Sequence, residues 1–239
     1  MNISVIIPAY NEERTIAQVL DQVLEKVNNL GEIIIIDDGS KDNTSKISRE
    51  YEASNPLVHY HLQPRNMGKT EALKEGFRRS TGDIVIVQDA DLEYDPAEIN
   101  DVVAPIQEGK ADVVLGSRFL VRRTSRSVYF RHFMANKFIT FLSNVLTDLN
   151  LTDVETCYKA FRGEIIRSMI ITSSGFGFEV EVVAKVAKLK CRVYEVPISY
   201  YGRSYEEGKK IGAGDGIMAL WYILKYNIFT SKKASFRKL

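Results

Sequence analysis

Short apolar runs alternate with longer helical patterns through the first half of the chain, and this alternation restricts the fold more than any other feature. Each run suits one strand and each segment between runs suits a crossover helix, which predicts a parallel sheet covered by helices. Ligands of such sheets bind beyond the carboxyl ends of the strands, so the residues after each strand are the candidates for a site. The predicted strands are residues 3–7, 32–37, 57–62, 83–88, 112–116 and 192–198. The predicted helices are residues 12–28, 42–53, 69–79, 96–108 and 175–190.

Three carboxylates follow the fourth predicted strand. The apolar run 84–87 is typical of a strand buried on both faces, and it leads into Asp89, Asp91 and Glu93. Carboxylates this close repel one another unless a cation is bound, and Mg2+ and Mn2+ prefer such oxygen ligands. Residues 95–98 also form a good helix start, so an acidic loop that only caps a helix explains the stretch as well. Taken alone, the stretch leaves both interpretations open.

Length and composition restrict the class of protein. The 239 residues allow one large α/β domain, or one domain with a short appendage. A content of 45% hydrophobic and 26% charged residues is that of an ordinary soluble globular protein. Cys157 and Cys191 make no metal-type cluster and favour reduced thiols in the cytoplasm. No window approaches the roughly 20 apolar residues that a membrane span requires, so any membrane contact is predicted to be peripheral.

Polar residues also follow the first three strands. Residues 8–12 read Pro-Ala-Tyr-Asn-Glu, which lacks the glycines of a dinucleotide site. Asp37 and Asp38 follow the second strand, where a carboxylate can accept hydrogen bonds from a base or ribose. Gly68-Lys69 opens the third helix and offers amide groups and a cation to a phosphate, but Gln63 stands where a P-loop needs glycine.

A basic interval follows the fifth strand. No Asp or Glu occurs between Val113 and Thr147, which indicates an anionic partner. The basic residues of this interval are Arg118, Arg122, Arg123, Arg126, Arg131 and Lys137.

The end of the same interval predicts an amphipathic helix. Its apolar side carries Phe130, Met134, Phe138, Phe141, Leu142 and Val145. Its polar side carries Arg131, His132, Asn136, Thr140, Ser143 and Asn144. Packing on the protein's own core and contact with a membrane are both open for the apolar side.

The last third of the chain adds an acid and two basic segments. Asp153 is among the first acids after the basic interval and could orient a cation or a hydroxyl group. The segment 202–212 contains Arg203 and Lys209 among glycines and is a candidate phosphate-binding lid. Residues 216–239 carry lysines, arginine and aromatics without any acid, which suits either an anionic bilayer surface or a solvated tail.

These segments, in this order, resemble the inverting family 2 glycosyltransferases of GT-A fold, and among them the dolichyl- and polyprenyl-phosphate mannose or glucose synthases. The matching segments are residues 5–12, 37–40, 66–69, 89–91, 116–118 and 153–159. The resemblance implies an α/β, Rossmann-like, mostly parallel sheet with helices on both faces and a short basic amphipathic C-terminal extension. The GT-A domain would be residues 1–214, with a nucleotide-sugar half at about 1–116 and an acceptor half at 117–214; residues 215–239 would form the amphipathic helix and basic tail.

The resemblance also implies a role for each matching residue. The nucleotide would be held by Pro8, Ala9, Tyr10, Glu12, Asp38, Lys69, Asp89, Ala90 and Asp91. Mg2+ or Mn2+ would be bound by Asp89, Asp91 and Glu93. The acceptor phosphate would be bound by Arg118, Arg131, Arg203 and Lys209. The catalytic set would be Asp89, Asp91, Asp153, Arg118 and Arg131.

The implied reaction is metal-dependent, inverting transfer of a sugar from a nucleotide-diphosphate sugar of the GDP-mannose or UDP-glucose type. The expected acceptor is a polyprenyl or dolichyl phosphate at the membrane surface, with the protein in the cytoplasm or on the cytoplasmic membrane face. Two alternatives stay open: transfer to a saccharide hydroxyl, with Asp153 as base, and a non-catalytic sugar-nucleotide-binding protein. Phosphohydrolases of the haloacid dehalogenase type place their aspartate pair after the first strand, so they are excluded. No nucleic-acid partner is expected, and a homo-oligomer is left open.

Overall fold

The computed structural model describes residues 1–120, 126, 129–203 and 213–237. The strands of these residues form one seven-stranded sheet. They are β1 (Ile3–Ala9), β2 (Leu30–Asp37), β3 (Val58–Leu62), β4 (Ile84–Val87), β5 (Val113–Ser117), β6 (Lys159–Arg162) and β7 (Val193–Pro197). The order across the sheet is β3-β2-β1-β4-β6-β5-β7.

The α-helices of the described residues connect and cover these strands. They are α1 (Ile16–Lys26), α2 (Thr44–Ser54), α3 (Lys69–Arg79), α4 (Ile99–Gln107), α5 (Phe130–Thr147), α6 (Gly163–Ser168), α7 (Phe178–Leu189), α8 (Ala213–Leu224) and α9 (Lys232–Ser235). A 3₁₀ turn at Pro96–Glu98 precedes α4, and a π-helical turn at Lys225–Phe229 follows α8. The helix start predicted at residues 95–98 is confirmed, because the Asp95 carboxylate accepts a hydrogen bond from the Ala97 amide.

The sheet is mostly parallel, as predicted, and β6 is its antiparallel member. It pairs antiparallel with β4 on one side and with β5 on the other, whereas the remaining neighbours pair in parallel. The sequence did not predict β6, because it has four residues and both its first and last, Lys159 and Arg162, are charged.

Helices cover both faces of the sheet, which confirms the predicted α/β class. Every residue of β4 and β5 is buried, whichever face its side chain points to, and this burial requires cover on both sides. α3 packs closely on β1 and β2 because Gly76 has no side chain. A Cβ atom there would lie 2.3 Å from Cγ2 of Ile6.

α5 packs on the protein through its polar side, which answers the question that the sequence left open. Thr140 and Ser143 are buried, whereas Phe138 and Phe141 on the opposite side are 57% and 63% exposed. Leu142, assigned to the apolar side, is partly buried against the core. The rest of the predicted apolar side, Phe130, Met134, Phe138, Phe141 and Val145, is exposed and does not pack on the protein's own core.

α7 lies beneath α5 and α8 and is buried along most of its length. Val182, Val183 and Val186 of α7 lie against strand residues such as Val113 and Phe161. The predicted C-terminal extension packs on this body, since Tyr222 and Tyr226 are buried. Among the described residues, no helix is long and apolar enough to cross a membrane.

Candidate active site at the carboxyl end of the sheet

The loops after β1 and β2 are tied together at the carboxyl edge of the sheet. Asn11 has a left-handed backbone with φ 54°. Its amide donates to Oγ of Ser40 at 3.0 Å, and its side-chain oxygen accepts from the Lys41 amide at 2.8 Å. The predicted nucleotide-binding residues Pro8, Ala9 and Tyr10 are thereby fixed at the end of β1.

Asp38 is used to hold the neighbouring loop. Its carboxylate accepts hydrogen bonds from the amides of Met67 at 2.7 Å and Gly68 at 2.8 Å. Burial raises the pKa of Asp38 above its usual value, although the two amide hydrogen bonds oppose the rise. Gly39 makes the close approach possible: its φ is +75°, and a Cβ atom would lie 2.8 Å from the carbonyl carbon of Arg65. Asp38 therefore positions the turn that leads into α3 and Lys69.

Lys69 neutralises Asp89. Its Nζ atom lies 2.9 Å from Oδ1 of Asp89 and 3.5 Å from Oε1 of Glu179, at the start of α7. Burial lowers the pKa of Lys69, but the charge of Asp89 outweighs burial and keeps that pKa well above its usual value. The ammonium group is therefore a permanent cation beside the first aspartate after β4.

Arg203 neutralises Asp91. Its Nη2 atom lies 2.7 Å from Oδ2 of Asp91, and its guanidinium also lies 3.4 Å from Glu12. Burial, with the charges of Asp89 and Glu93, raises the pKa of Asp91 to about 7, although Arg203 opposes the rise. The acids after β1 and β4 thus crowd together around one guanidinium group.

Glu93 holds the segment that carries Arg203. Its carboxylate accepts from the Arg203 amide at 2.8 Å and from the Tyr200 hydroxyl at 3.0 Å. Its carbonyl accepts from the Tyr201 amide at 2.9 Å. The Glu93 side chain is therefore engaged with residues 200–203.

The carboxylates after β4 fit a divalent ion in part. Asp89 and Asp91 offer hard oxygen donors. Together with Glu12 they form a cluster of negative charge, which Lys69 and Arg203 already balance. No three acids, histidines or cysteines of the described residues are arranged as a ready metal-binding group. The chemistry of Asp89 and Asp91 suits Mg2+ or Mn2+, whereas Glu93 would first have to release Tyr200 and the Arg203 amide.

Arg118 and Asp153 form a bidentate ion pair on the other side of the site. Nε and Nη2 of Arg118 donate to the two carboxylate oxygens of Asp153 at 2.6 and 2.7 Å. Asp153 is fully buried and also accepts from Asn136 of α5 at 3.2 Å. Burial alone would raise the pKa of Asp153, but Arg118 outweighs burial and lowers it, which makes the carboxylate a weak base.

Tyr200 connects the two sides. Its ring lies 5.0 Å from Cζ of Arg118, and its hydroxyl donates to Glu93. Arg118, Asp153, Arg203 and the acids after β4 are therefore joined by one chain of contacts.

Two further residues were predicted to bind the acceptor phosphate, Arg131 and Lys209. Arg131 is exposed on the first turn of α5. Lys209, with Arg122 and Arg123 of the basic interval, lies outside the described residues.

Sequence reasoning missed Glu155, Glu179 and Tyr200. Glu179 contacts Lys69, and burial with the charge of Glu179 raises the pKa of Glu155 to about 7. Oε1 of Glu155 and Oε2 of Glu179 are buried oxygens without a hydrogen-bond partner among the described residues. The sequence offered one signal for the two glutamates: they interrupt otherwise apolar segments. That pattern does not indicate that their side chains face the site.

A mostly parallel sheet with paired aspartates after β4, and arginines beside them, has the features expected of a GT-A domain. The chain belongs to glycosyl transferase family 2, whose sequence model matches residues 4–169.

Comparisons with individual proteins agree with this assignment. The chain is 33% identical over 212 residues to the undecaprenyl-phosphate 4-deoxy-4-formamido-L-arabinose transferase of Proteus mirabilis strain HI4320. That match covers 87% of this chain but only 62% of the relative's length. The fold is similar to Mycobacterium tuberculosis glucosyl-3-phosphoglycerate synthase in complex with Mn2+, UDP and glucosyl-3-phosphoglycerate (TM-score 0.72, 21% identity, 95% of this chain and 80% of the other). The same synthase with Mg2+ and UDP gives a TM-score of 0.73 at 21% identity, covering 95% and 79%.

Proposed function

We propose that this chain transfers a sugar, with inversion, from a nucleotide-diphosphate sugar to a polyprenyl phosphate. One observation carries the proposal: Asp89 and Asp91 are each paired with a protein cation, and Tyr200 connects their loop to the Arg118–Asp153 pair. Such an arrangement can accept two anions, a donor diphosphate near Lys69 and Arg203 and an acceptor phosphate near Arg118. The name of the Proteus mirabilis relative, an undecaprenyl-phosphate sugar transferase, supports a lipid-phosphate acceptor.

On the donor side, Asp89 and Asp91 would hold Mg2+ or Mn2+ together with the diphosphate. The bound ion would supply charge neutralisation to the departing nucleoside diphosphate. Lys69 and Arg203 lie next to these carboxylates, so both cations can turn to the diphosphate oxygens. Pro8, Ala9, Tyr10 and Glu12 would line the nucleoside, and Asp38 would support it through the turn that it holds.

On the acceptor side, Arg118 would bind the phosphate. A phosphate monoester has a second pKa of about 6 and is largely dianionic at neutral pH, so it needs positioning more than a strong base. Asp153 fixes the Arg118 guanidinium through two hydrogen bonds and has a lowered pKa, which suits a positioning residue. Arg203, Arg131 and Lys209 are proposed as further phosphate ligands.

A saccharide hydroxyl is the second candidate acceptor, because one residue suits the base that it would need. The pKa of Glu155 is raised to about 7 by burial and by Glu179, and its Oε1 atom lacks a hydrogen-bond partner among the described residues. A carboxylate with that pKa is a competent general base at neutral pH. In that case Glu155, not Asp153, would take the proton.

A panel of UDP- and GDP-sugars with a short polyprenyl phosphate in detergent separates these candidates, with nucleoside diphosphate release as the signal. The proposal predicts release that requires the lipid phosphate, is lost in Arg118→Met and persists in Glu155→Gln. Release that requires a saccharide, survives Arg118→Met and is lost in Glu155→Gln would support the second candidate. Metal-dependent nucleotide binding without turnover on any acceptor would favour a non-catalytic binding protein.

A further inference from the structure

The outward side of α5 carries a row of apolar side chains. They recur at intervals of three or four residues and so lie along one stripe of the helix. They are Phe130, Met134, Phe138, Phe141 and Val145, each more than half exposed. Single exposed apolar residues are common, but a continuous row with three phenylalanines marks an interaction surface.

α8 and the turn that follows it extend this row. Ala219, Tyr222 and Ile223 point inward and are buried. The outward residues are Ile217, Met218, Trp221, Leu224, Ile228 and Phe229, all exposed. Because α5 and α8 pack against each other and both rest on α7, their outer sides form one surface, called here the α5–α8 face.

The charge around the α5–α8 face is predominantly basic. Residues 113–147 and 216–239 contain no Asp or Glu, and the acids next to these segments are Asp148, which follows α5, and Asp215, near the start of α8. Exposed basic residues lie at both ends, with Arg131 on the first turn of α5 and Lys232 and Lys233 beyond α8. Lys225 lies 5.0 Å from the centre of the Tyr226 ring, so the aromatic and basic residues are interleaved.

We propose that the α5–α8 face inserts into the interface of a bilayer that contains anionic lipids. Aromatic and aliphatic side chains flanked by lysine and arginine are the composition that binds an anionic bilayer surface. A second copy of the chain fits less well, because a two-fold interface would bring two predominantly basic surfaces together.

This position would bring the bilayer close to the candidate active site. The inner side of α5 holds the loop of Asp153, since Asn136 donates to Asp153 and Thr140 accepts from the Val154 amide. The link between docking and a lipid-phosphate acceptor rests on the proposed function. The docking itself rests on exposure and charge alone, so each can fail without the other.

Trp221 is the single tryptophan of the chain and lies in the α5–α8 face, so its emission reports on docking. The experiment adds vesicles of phosphatidylcholine and phosphatidylglycerol in equal parts, without any polyprenyl phosphate. We expect a blue shift of Trp221 emission, quenching by brominated lipid, and a weaker effect with pure phosphatidylcholine or at high salt.

A matched pair of variants tests the surface directly. Phe138→Ser with Phe141→Ser removes two exposed rings, and Leu62→Ser removes an apolar side chain of 51% exposure at the end of β3, on the opposite edge of the sheet. Sedimentation with vesicles should show at least a tenfold weaker partition for the first variant and no change for the second. Circular dichroism confirms that both are folded.

Three results would overturn the proposal. The first is no Trp221 shift with anionic vesicles, and the second is equal partition of the two variants. The third is a Trp221 shift that appears without vesicles, grows with protein concentration and accompanies a dimer in sedimentation, which would assign the α5–α8 face to a second copy.

Discussion

The first 116 residues and the remainder of the chain differ in which charged residues they bury. In the first part, apolar strands such as β4 form the interior and the carboxylates Asp89 and Asp91 lie at the strand ends. In the second part, the interior contains Asp153, Lys159 and Lys185, whereas phenylalanines of α5 lie outside. Both parts have an apolar interior, but among the described residues only the second part also buries lysines, whose polar contacts fix nearby backbone and side chains.

These interior polar groups are well partnered, which explains how the second part tolerates them. Lys159 donates to the carbonyls of Val154 and Thr156, and Lys185 pairs with Glu181 within α7. A buried charge is costly without partners, so each of these residues fixes the backbone or side chain that satisfies it. The inverted arrangement of α5 follows, because its polar side is needed to hold residues 151–154.

The largest effect is expected from breaking the Arg118–Asp153 pair. Asp153→Asn leaves the guanidinium without its carboxylate and should lower the free energy of unfolding by about 3–5 kcal/mol, as for other buried pairs that lose one partner. Denaturant unfolding measures this loss.

A double variant tests whether Arg118 and Asp153 act together in transfer. If the two residues act as a unit in transfer, Arg118→Met with Asp153→Asn should be no less active than Arg118→Met alone. Losses of transfer rate that simply add would mean that Asp153 acts independently, as a base would.

The second prediction concerns the acids of the first part. Asp89→Asn should lower the transfer rate by about 10²–10³-fold, because a preorganised charge at the diphosphate is lost. The thermal midpoint should change less than in Asp153→Asn, since Lys69 keeps Glu179 at 3.5 Å when Asp89 loses its charge. Asp148→Asn is the matched control: it makes the same replacement at an exposed residue beyond α5, where asparagine tolerates the left-handed backbone. Equal activity of the two variants would contradict a role for Asp89.

The fold of the first part could be predicted from sequence because its side chains follow simple burial rules. The alternation of apolar runs and helical patterns predicted the bounds of β1 to β5 to within a few residues, and the polar residues after each strand indicated the site. β6 and the orientation of α5 could not be predicted in this way. The polar side of α5 is interior because groups further along the chain, such as Asp153, satisfy it, and one sequence does not disclose those partners. Lys159 is satisfied by the nearby carbonyls of Val154 and Thr156, but no sequence pattern indicates that these carbonyls turn toward it.

The sequence predicted the types of residue in the site better than the contacts between them. The pairs Lys69–Asp89 and Arg203–Asp91 join residues that are 20 and 112 positions apart, so no local pattern reveals them. Glu93 was expected at the metal, and its engagement with residues 200–203 depends on how that segment returns to the sheet. Its role at a metal stays a prediction.

A smaller effect separates the necessary polar contacts of α5 from the dispensable ones. Thr140→Val removes the oxygen that accepts from the Val154 amide and should cost about 1–3 kcal/mol of unfolding free energy. Ser143→Ala removes a buried hydroxyl that has no partner among the described residues and should be neutral or slightly stabilising. Similar losses in both variants would show that hydrogen bonding does not explain the inverted helix.

The smallest effect is a pH dependence at the amino end of β5. Hydrogen bonds from Arg192, and further contacts with Arg162, lower the pKa of Asp112 below its usual value despite burial. A lowered folded-state pKa means that the stabilisation is complete above the unfolded pKa of about 3.9 and is lost as the pH falls through the folded value. Asp112→Asn should therefore be less stable than the wild type at pH 7 and differ from it less in strong acid. A constant difference across that pH range would contradict this assignment.

The most direct test of the central claim is the product formed from a nucleotide-diphosphate sugar and a short polyprenyl phosphate with Mn2+. The account predicts a lipid-linked sugar of inverted anomeric configuration, detected by nuclear magnetic resonance, with stoichiometric release of the nucleoside diphosphate. Loss of that product in Asp91→Asn and in Arg118→Met would locate the reaction at the proposed cleft. A sugar attached to a saccharide hydroxyl, or nucleotide binding without any product, would contradict it.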